Sequence, residues 1–203
     1  MWRLLEQPAP LLCADRLDYG LRDMIAFGIV AGSTVRGIVR QLVVHDGRIM
    51  CSDVALARVL ARGYMRCDQL AWANPHHSGL YKFAGDAIRL ALQYGVIKKE
   101  ELWIGTDEQF WDKIVHCGIR EIDEMTRYVN DHTRYEVIPR REGADKGIVL
   151  ELKLKIRTID PEIVLSGETG VHVMRLSEID EAYKREREEY IESKREPILL
   201  KVS

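Results

Sequence analysis

The sequence predicts a mainly α-helical protein that contains a β-hairpin and ends in a small α/β subdomain. Apolar residues recur at helical spacing through most of residues 15–129. The Asp46-Gly47 pair separates two short apolar runs, which is the pattern of a hairpin with a tight turn. Residues 147–160 alternate between apolar and charged side chains, as a strand with one buried face does. We therefore divide the chain into a helical domain, 1–130, and an α/β subdomain, 131–203.

The helical part begins with a helix that Gly28 can end. After the hairpin, Ser52 is the N-cap candidate for a longer helix. His76 and His77 follow an Asn-Pro pair and are predicted to lie in a loop. The expected helices cover residues 15–27, 33–40, 52–73, 78–94, 98–103, 106–116 and 119–129.

The C-terminal part is predicted to combine strands with one charged helix. The sequence "EIVLSGETGVHVMRL", residues 162–176, indicates a second hairpin. Ser177 is expected to open a charged helix whose solvated face is joined by pairs such as Glu181 with Arg185. Pro197 ends this helix, and the last strand is "ILLKV".

Composition limits the choice of partners and location. The 203 residues include 30 basic and 32 acidic side chains, so the formal net charge is −2. General attraction to nucleic acid or to an anionic membrane is therefore not expected. The four cysteines form no C-x-x-C pair, and no apolar run has the length of a membrane span. The sequence thus predicts a soluble, cytoplasmic protein with reduced thiols.

The segment "ADRLDYGLRD", residues 14–23, has two different faces when it is drawn as a helix. Asp15, Tyr19 and Asp23 fall at i, i+4 and i+8 and therefore share one face, while leucines lie opposite. The same stripe is compatible with an ordinary solvated helix that packs its leucines inward. The spacing alone therefore does not decide between a chemical role for Asp15, Tyr19 and Asp23 and an ordinary solvated helix face.

This segment resembles the last motif of the HD-domain phosphohydrolases, in particular of the branch that includes deoxynucleoside triphosphate triphosphohydrolases. The resemblance implies that Asp15 is a metal ligand and that Arg16 lies near the phosphates. It also implies that Tyr19 packs on the sugar and that Asp23 accepts a hydrogen bond from a sugar hydroxyl. These residue types suit such roles, because carboxylates bind divalent metals and guanidinium groups bind phosphate.

Two later segments extend the resemblance. Arg66, in "ARGYMRCDQL", corresponds to an arginine that reaches the phosphates, and Tyr81, in "SGLYKFAGDAI", to a tyrosine that completes the nucleotide pocket. The stretch "AWANPHH" between them departs from the family pattern, and a surface arginine on a helix is the alternative for Arg66. The resemblance covers most of the chain and is strongest at residues 12–23 and 153–183.

The family holds its metal with a histidine, a His-Asp pair and the final aspartate, but no histidine precedes Asp15. The resemblance therefore implies a divalent metal, Mn, Fe, Mg or Zn, only when an upstream HD segment supplies the missing ligands. That segment would belong to the same gene or to a split partner. His45-Asp46 does not replace it, because adjacent residues on a tight turn rarely converge on one ion.

Three function hypotheses follow. The first is the C-terminal part of an HD-type phosphohydrolase that acts on (deoxy)nucleoside triphosphates or another phosphate ester and is inactive alone. The second is a non-catalytic nucleotide-binding or oligomerisation module. Under either hypothesis a homo-oligomer is a possible assembly. The third is a small metal-binding protein that uses His76 and His77. Without upstream helices, the polar face of residues 15–23 is expected to be largely open to solvent or covered by a second copy of the chain.

Overall fold

The computed structural model describes residues 4–138, 148–167 and 170–202, and it confirms a mainly helical chain with two small sheets. The helices are α1 (Ala14–Ala26), α2 (Gly32–Arg40), α3 (Val54–Cys67), α4 (Pro75–Gln93), α5 (Asp107–Val115), α6 (Arg120–Thr126), α7 (Leu176–Ile179) and α8 (Glu181–Ser193). A π-helical turn, Asp68–Trp72, follows α3, and a 3₁₀ turn covers Lys99–Leu102. The strands are β1 (Leu42–His45), β2 (Arg48–Cys51), β3 (Tyr135–Ile138), β4 (Ile148–Leu152), β5 (Glu162–Gly167), β6 (Gly170–Arg175) and β7 (Ile198–Val202).

The chain forms two compact units, each built from separated segments. The first unit combines Met1–Asn74 with Lys155–Glu196, and the second combines Pro75–Leu154 with Pro197–Ser203. These units divide the chain differently from the domains expected at 1–130 and 131–203, which remain a prediction.

The first unit packs helices beside a four-stranded sheet with the order β1-β2-β5-β6. Strands β1 and β2 form the expected hairpin, and β5 and β6 form the second one. The two hairpins join where β2 and β5 run parallel, with Cys51 opposite Ile163. Asp46 and Gly47 have φ angles of 49° and 70°, as the two central residues of a type I′ turn require. The sequence therefore predicted this turn correctly.

The core of the first unit lies under α1 and α3. Leu17, Leu21 and Met24, the apolar face of α1, are buried as predicted. Gly20 lies directly against the ring of Tyr64 on α3, and a Cβ atom at this position would be 2.9 Å from Cδ2 of that ring. Only glycine allows this close contact, so the two helices lie closer together than larger side chains would permit.

The second unit contains α4, α5, α6 and a three-stranded antiparallel sheet with the order β3-β7-β4. Its core is formed mainly by small and branched apolar side chains that point inward from the helices. The buried residues are Ala87, Ala91, Ile97, Ile114 and Ile122. The final strand predicted at "ILLKV" is therefore confirmed as the centre of this sheet.

The structure corrects two predicted helix starts. Helix α3 is capped by Asp53, whose Oδ1 accepts a hydrogen bond from the Leu56 amide at 2.8 Å, and not by Ser52. Helix α4 begins at Pro75, so His76 and His77 lie in its first turn and not in a loop. Proline favours the first helical position, because its missing N–H would have no intrahelical partner there.

Two C-terminal expectations were also wrong. Among the described residues of the strand predicted over 147–160, only Ile148–Leu152 pair with another strand, because alternation continues beyond the point where the chain has a strand partner. Ser177 lies inside the short helix α7, and the charged helix α8 starts after Asp180, whose side chain accepts a hydrogen bond from the Tyr183 amide at 3.0 Å. The strand is thus limited by its distant partner β7, whereas the start of α8 is set by the local Asp180 cap.

All four cysteines are free thiols, as expected. Burial raises the pKa values of Cys51 and Cys67 to about 12, so these thiols stay protonated at neutral pH. No helix in the described part of the chain combines the length and the apolar character that crossing a membrane requires.

The α3 cap gives a direct test of the corrected helix start. Asp53→Ala removes the acceptor for the Leu56 amide and is expected to lower the free energy of unfolding by about 1 kcal/mol. Ser52→Ala is the control, because its hydroxyl bonds only Gln41 at an exposed position, and it should change stability by less. Urea unfolding followed by circular dichroism measures both, and a larger loss for Ser52→Ala would restore the original prediction.

Candidate functional site

The polar face of α1 is the candidate site, and its first residue is accessible. Asp15 lies in the first turn of the helix and is exposed. Among the residues that the structure describes, none donates a hydrogen bond to its carboxylate. This carboxylate is therefore available to a ligand.

Arg16 is engaged by the chain that precedes α1. Its side chain is only 13% exposed and lies 3.5 Å from the Glu6 carboxylate. The guanidinium donates to the carbonyl oxygens of Gln7, at 3.0 Å, and Leu11. Arg16 thus fastens the N-terminal segment to the start of α1, and its role toward phosphate stays a prediction.

Tyr19 belongs to an aromatic cluster, which we define as Tyr19, Tyr64 and Trp72. The centroid of the Trp72 ring lies 5.0 Å from that of Tyr19 and 4.8 Å from that of Tyr64, and both pairs are arranged edge to face. The hydroxyls of Tyr19 and Tyr64 are hydrogen-bonded to each other. Burial, and then this hydrogen bond, raise the pKa of Tyr64, so the Tyr64 hydroxyl stays protonated at neutral pH.

Asp23 is joined to the same cluster. The indole Nε1–H of Trp72 donates a hydrogen bond of 2.8 Å to Asp23 Oδ2. The structure therefore brings Tyr19 and Asp23, the two residues predicted to bind the sugar, into contact with the same indole. The expectation of an open polar face holds for Asp15, but Tyr19 and Asp23 are half-buried against Trp72.

A buried carboxylate, which the sequence analysis missed, supports this cluster. Asp68 opens the π-helical turn and is fully buried. Its Oδ2 accepts hydrogen bonds from the Arg157 amide, at 3.1 Å, and from the Tyr190 hydroxyl, at 2.9 Å. Its Oδ1 lies 3.7 Å from Arg157 Nη1 but accepts no hydrogen bond from any described residue. Burial is the main cause that raises the pKa of Asp68.

Lys194 extends this network on α8 and its C-terminal end. Its Nζ donates to the Tyr190 hydroxyl at 2.7 Å and lies 4.6 Å from the centre of that ring. Burial lowers the pKa of Lys194. A sequence signal for the network existed, because Asp68 lies four residues after Tyr64 and four before Trp72, on the stripe that α3 buries. An acidic residue on the buried and otherwise apolar stripe of a helix predicts a buried carboxyl group.

The two remaining predicted residues, Arg66 and Tyr81, are not members of the aromatic cluster. Arg66 is exposed, donates to Gln69 Oε1 at 2.7 Å and borders a cavity of about 260 Å³ beside Glu186 and Tyr190. Arg66 lies two positions after Tyr64, a step of about 200° around the helix. Tyr81 lies on α4 in the second unit and is 76% exposed. Their roles toward phosphate and sugar remain predictions.

The donors present fit one position of a metal site. Asp15 offers the exposed carboxylate oxygen that a divalent metal binds. In residues 4–138, 148–167 and 170–202, no three His, Cys, Asp or Glu side chains form a group that could hold a metal ion, and this includes His76 and His77. Asp15 is therefore a candidate for one ligand of a larger set, and this role stays a prediction.

Two relatives among known proteins cover most of the chain. The metal-dependent phosphohydrolase cns2 of Cordyceps militaris is 30% identical over 200 residues, which are 96% of this chain and 55% of that protein. The uncharacterised protein YdhJ of Bacillus subtilis is 31% identical over 164 residues, which are 81% of this chain and 48% of that protein. No family model and no solved structure matches the chain. The chain thus spans about half the length of the curated relatives it matches.

The chain is similar over almost its whole length to this protein named as a metal-dependent phosphohydrolase, which confirms the resemblance recognised in the sequence. The match is consistent with the HD-domain phosphohydrolases. Membership of the triphosphohydrolase branch rests on the motif alone and stays a prediction.

The raised pKa of Asp68 predicts how stability depends on pH. A carboxyl whose pKa is higher in the folded state than its ordinary value of 3.8 binds its proton more tightly when folded. Its contribution to stability is therefore complete below that value and is lost as the pH rises through the raised pKa. The stability of the wild type relative to Asp68→Asn should increase as the pH is lowered from about 7 toward 3.8.

Tyr190→Phe is the matched variant for this measurement. It removes a hydrogen bond that lowers the pKa of Asp68, so the dependence on pH should become steeper than in the wild type. Urea unfolding of the three proteins across this pH range measures the effect. Parallel curves for wild type and Asp68→Asn would contradict the assignment.

Proposed function

We propose that this chain carries the sugar-binding and part of the metal-binding machinery of an HD-type, metal-dependent phosphohydrolase that acts on a nucleotide. The observation that carries the proposal is the grouping on α1. An accessible carboxylate, Asp15, lies on the same face as Tyr19 and Asp23, which meet at Trp72. The relationship to a protein named as a metal-dependent phosphohydrolase supports the same chemistry.

In this proposal the two ends of the polar face of α1 have different roles, metal binding at Asp15 and sugar binding at Asp23. Asp15 supplies one oxygen ligand, and a divalent metal, when bound, polarises the phosphate and makes a water molecule more acidic. Asp23 lies eight residues further along the helix, a rise of about 12 Å. A phosphorylated sugar with its phosphate chain can bridge such a distance, with phosphate near Asp15 and sugar near Asp23.

The sugar end of this face offers one flat surface and one acceptor. Tyr19 presents an aromatic ring whose orientation is fixed by Tyr64 and Trp72. One oxygen of Asp23 accepts the indole hydrogen bond, and the carboxylate keeps further lone pairs for a sugar hydroxyl. Arg16 and Arg66 are the candidates for balancing phosphate charge.

The remaining metal ligands come, in this proposal, from a histidine and a His-Asp pair upstream of Asp15, in the same gene product or in a partner chain. The 203-residue chain alone is then catalytically silent, because one carboxylate cannot hold a catalytic metal. The rival interpretation is a nucleotide-binding or oligomerisation module without turnover.

The test compares the chain alone with the assembled protein, which we define as the chain joined to or mixed with its upstream segment. Metal content and phosphate or triphosphate release from a panel of nucleotides are measured for both. We expect manganese- or iron-dependent hydrolysis by the assembled protein only. Asp15→Ala should abolish both metal content and hydrolysis, whereas Asp18→Ala, which removes an exposed ion pair with Arg22, should preserve both.

Three results would contradict the proposal. Hydrolysis by the chain alone would show that its metal site is complete. Metal content unchanged by Asp15→Ala would remove Asp15 from the ligand set. Nucleotide binding without turnover in the assembled protein would favour the non-catalytic module.

The role of Arg66 is tested separately. If Arg66 contacts the phosphates, Arg66→Ala should raise the KM of the assembled protein for a nucleoside triphosphate by roughly ten- to a hundredfold, because a charge-assisted hydrogen bond is lost. Arg66→Lys should recover part of the loss, and the midpoint of thermal unfolding should change little. An effect on thermal stability alone would assign Arg66 to the helix surface.

A further inference from the structure

We propose that Trp72 is a positioning residue that fixes Asp23 and Tyr19 for recognition of the sugar. The inference rests on the function proposed for the polar face of α1 and adds a residue that the sequence analysis did not select. One indole contacts both side chains, and a single hydrogen bond and one edge-to-face contact carry these interactions.

The hydrogen bond from Trp72 limits the orientation of the Asp23 carboxylate. An indole has one donor and no acceptor, so its Nε1–H can serve only an acceptor such as Asp23 Oδ2. The bond is charge-assisted and 2.8 Å long, as strong hydrogen bonds of this kind are. Asp23 on α1 thereby presents its other oxygen in a fixed direction.

The same indole limits the Tyr19 ring. Tyr19 is held between two aromatic neighbours, Trp72 at 5.0 Å and Tyr64 at 5.9 Å between ring centroids. Its hydroxyl is hydrogen-bonded to that of Tyr64, so the orientation of the ring and the position of its hydroxyl are both fixed. A flat surface that is preorganised in this way loses little conformational freedom on binding a sugar.

The backbone turn that carries Trp72 is held by hydrogen bonds at both of its ends. The π-helical turn from Asp68 to Trp72 is a form that is frequent at functional sites. Arg157 bonds both ends, because its amide donates to Asp68 and its Nη1 donates to the Trp72 carbonyl at 3.4 Å. The Ala73 amide closes the turn on the Asp68 carbonyl at 2.7 Å. The backbone that carries the indole is thus held by the hydrogen bond of the turn itself and by the contacts of Arg157 with the buried Asp68 carboxyl and the Trp72 carbonyl.

The physical consequence is confined to the sugar end. Removing the indole donor leaves the Asp23 carboxylate free to rotate, so it no longer distinguishes a ligand with a hydroxyl from one without it. Asp15 lies about 12 Å away along the helix, and its metal binding should be unaffected. Loss of sugar discrimination without loss of metal is therefore the signature of Trp72 acting through Asp23.

The experiment is a double-mutant cycle in the assembled protein, with ATP and 2′,3′-dideoxy-ATP as probes. Wild type is expected to prefer ATP, and Trp72→Phe should reduce this preference about tenfold. Asp23→Asn should reduce it by a similar factor, and the double variant should show no further loss. Trp103→Phe is the control, because Trp103 is 82% exposed in the second unit and should leave the preference unchanged.

A second measurement does not depend on turnover. The ¹H–¹⁵N spectrum of the chain contains an indole signal for each of its 4 tryptophans, and Trp72→Phe assigns the signal of Trp72. Asp23→Ala should shift this signal, since the hydrogen bond is lost, while Asp18→Ala should leave it in place.

The outcomes separate this inference from the proposed function. If the assembled wild type binds neither probe and lacks metal, the proposed function fails and the inference fails with it. If Asp23→Asn reduces the preference but Trp72→Phe does not, or if the two effects add, only the role of Trp72 is overturned. If the indole signal of Trp72 does not shift in Asp23→Ala, the role of Trp72 is overturned as well.

Discussion

The close packing of α1 against α3 is the constraint on which the candidate site depends. Gly20 brings the backbone of α1 onto the Tyr64 ring, at a distance that a Cβ atom would not allow. Tyr64 can then meet Tyr19, the residue before this glycine, and carry Trp72 beside it. A larger residue at position 20 would separate the two helices and break the aromatic cluster, although neither helix would lose its own hydrogen bonds.

A buried ion provides the second support. Asp68 carries a charge into the core, which is costly unless partners compensate it. Those partners are the amide of Arg157, far along the chain, and Tyr190 on α8. Because Arg157 also bonds the Trp72 carbonyl, the ion that fastens the C-terminal segment also directs the indole toward Asp23. The contacts that stabilise this part of the core therefore also set the geometry of the candidate site.

The two ends of the polar face of α1 differ in how far contacts within this chain already fix their side chains. Tyr19 and Asp23 are already fixed by neighbours in this chain, as preorganised recognition of a sugar requires. Asp15 is exposed and available, as a metal ligand that awaits further donors would be. This asymmetry agrees with the division of labour that we propose, in which other protein segments complete the metal end.

The sequence by itself determined most of the elements and the residues that share the polar face of α1. Helical periodicity, the Asp46-Gly47 turn and the two-faced α1 are local properties, and a motif of ten residues was sufficient to recognise a metal-dependent phosphohydrolase relative. Tertiary structure alone decided that Asp53 caps α3 and not Ser52, and that Asp68, Trp72 and Arg157 cooperate. The physical reason is that periodicity follows from the backbone of neighbouring residues. The partner of a buried charge or an indole is chosen by packing between segments far apart in the chain.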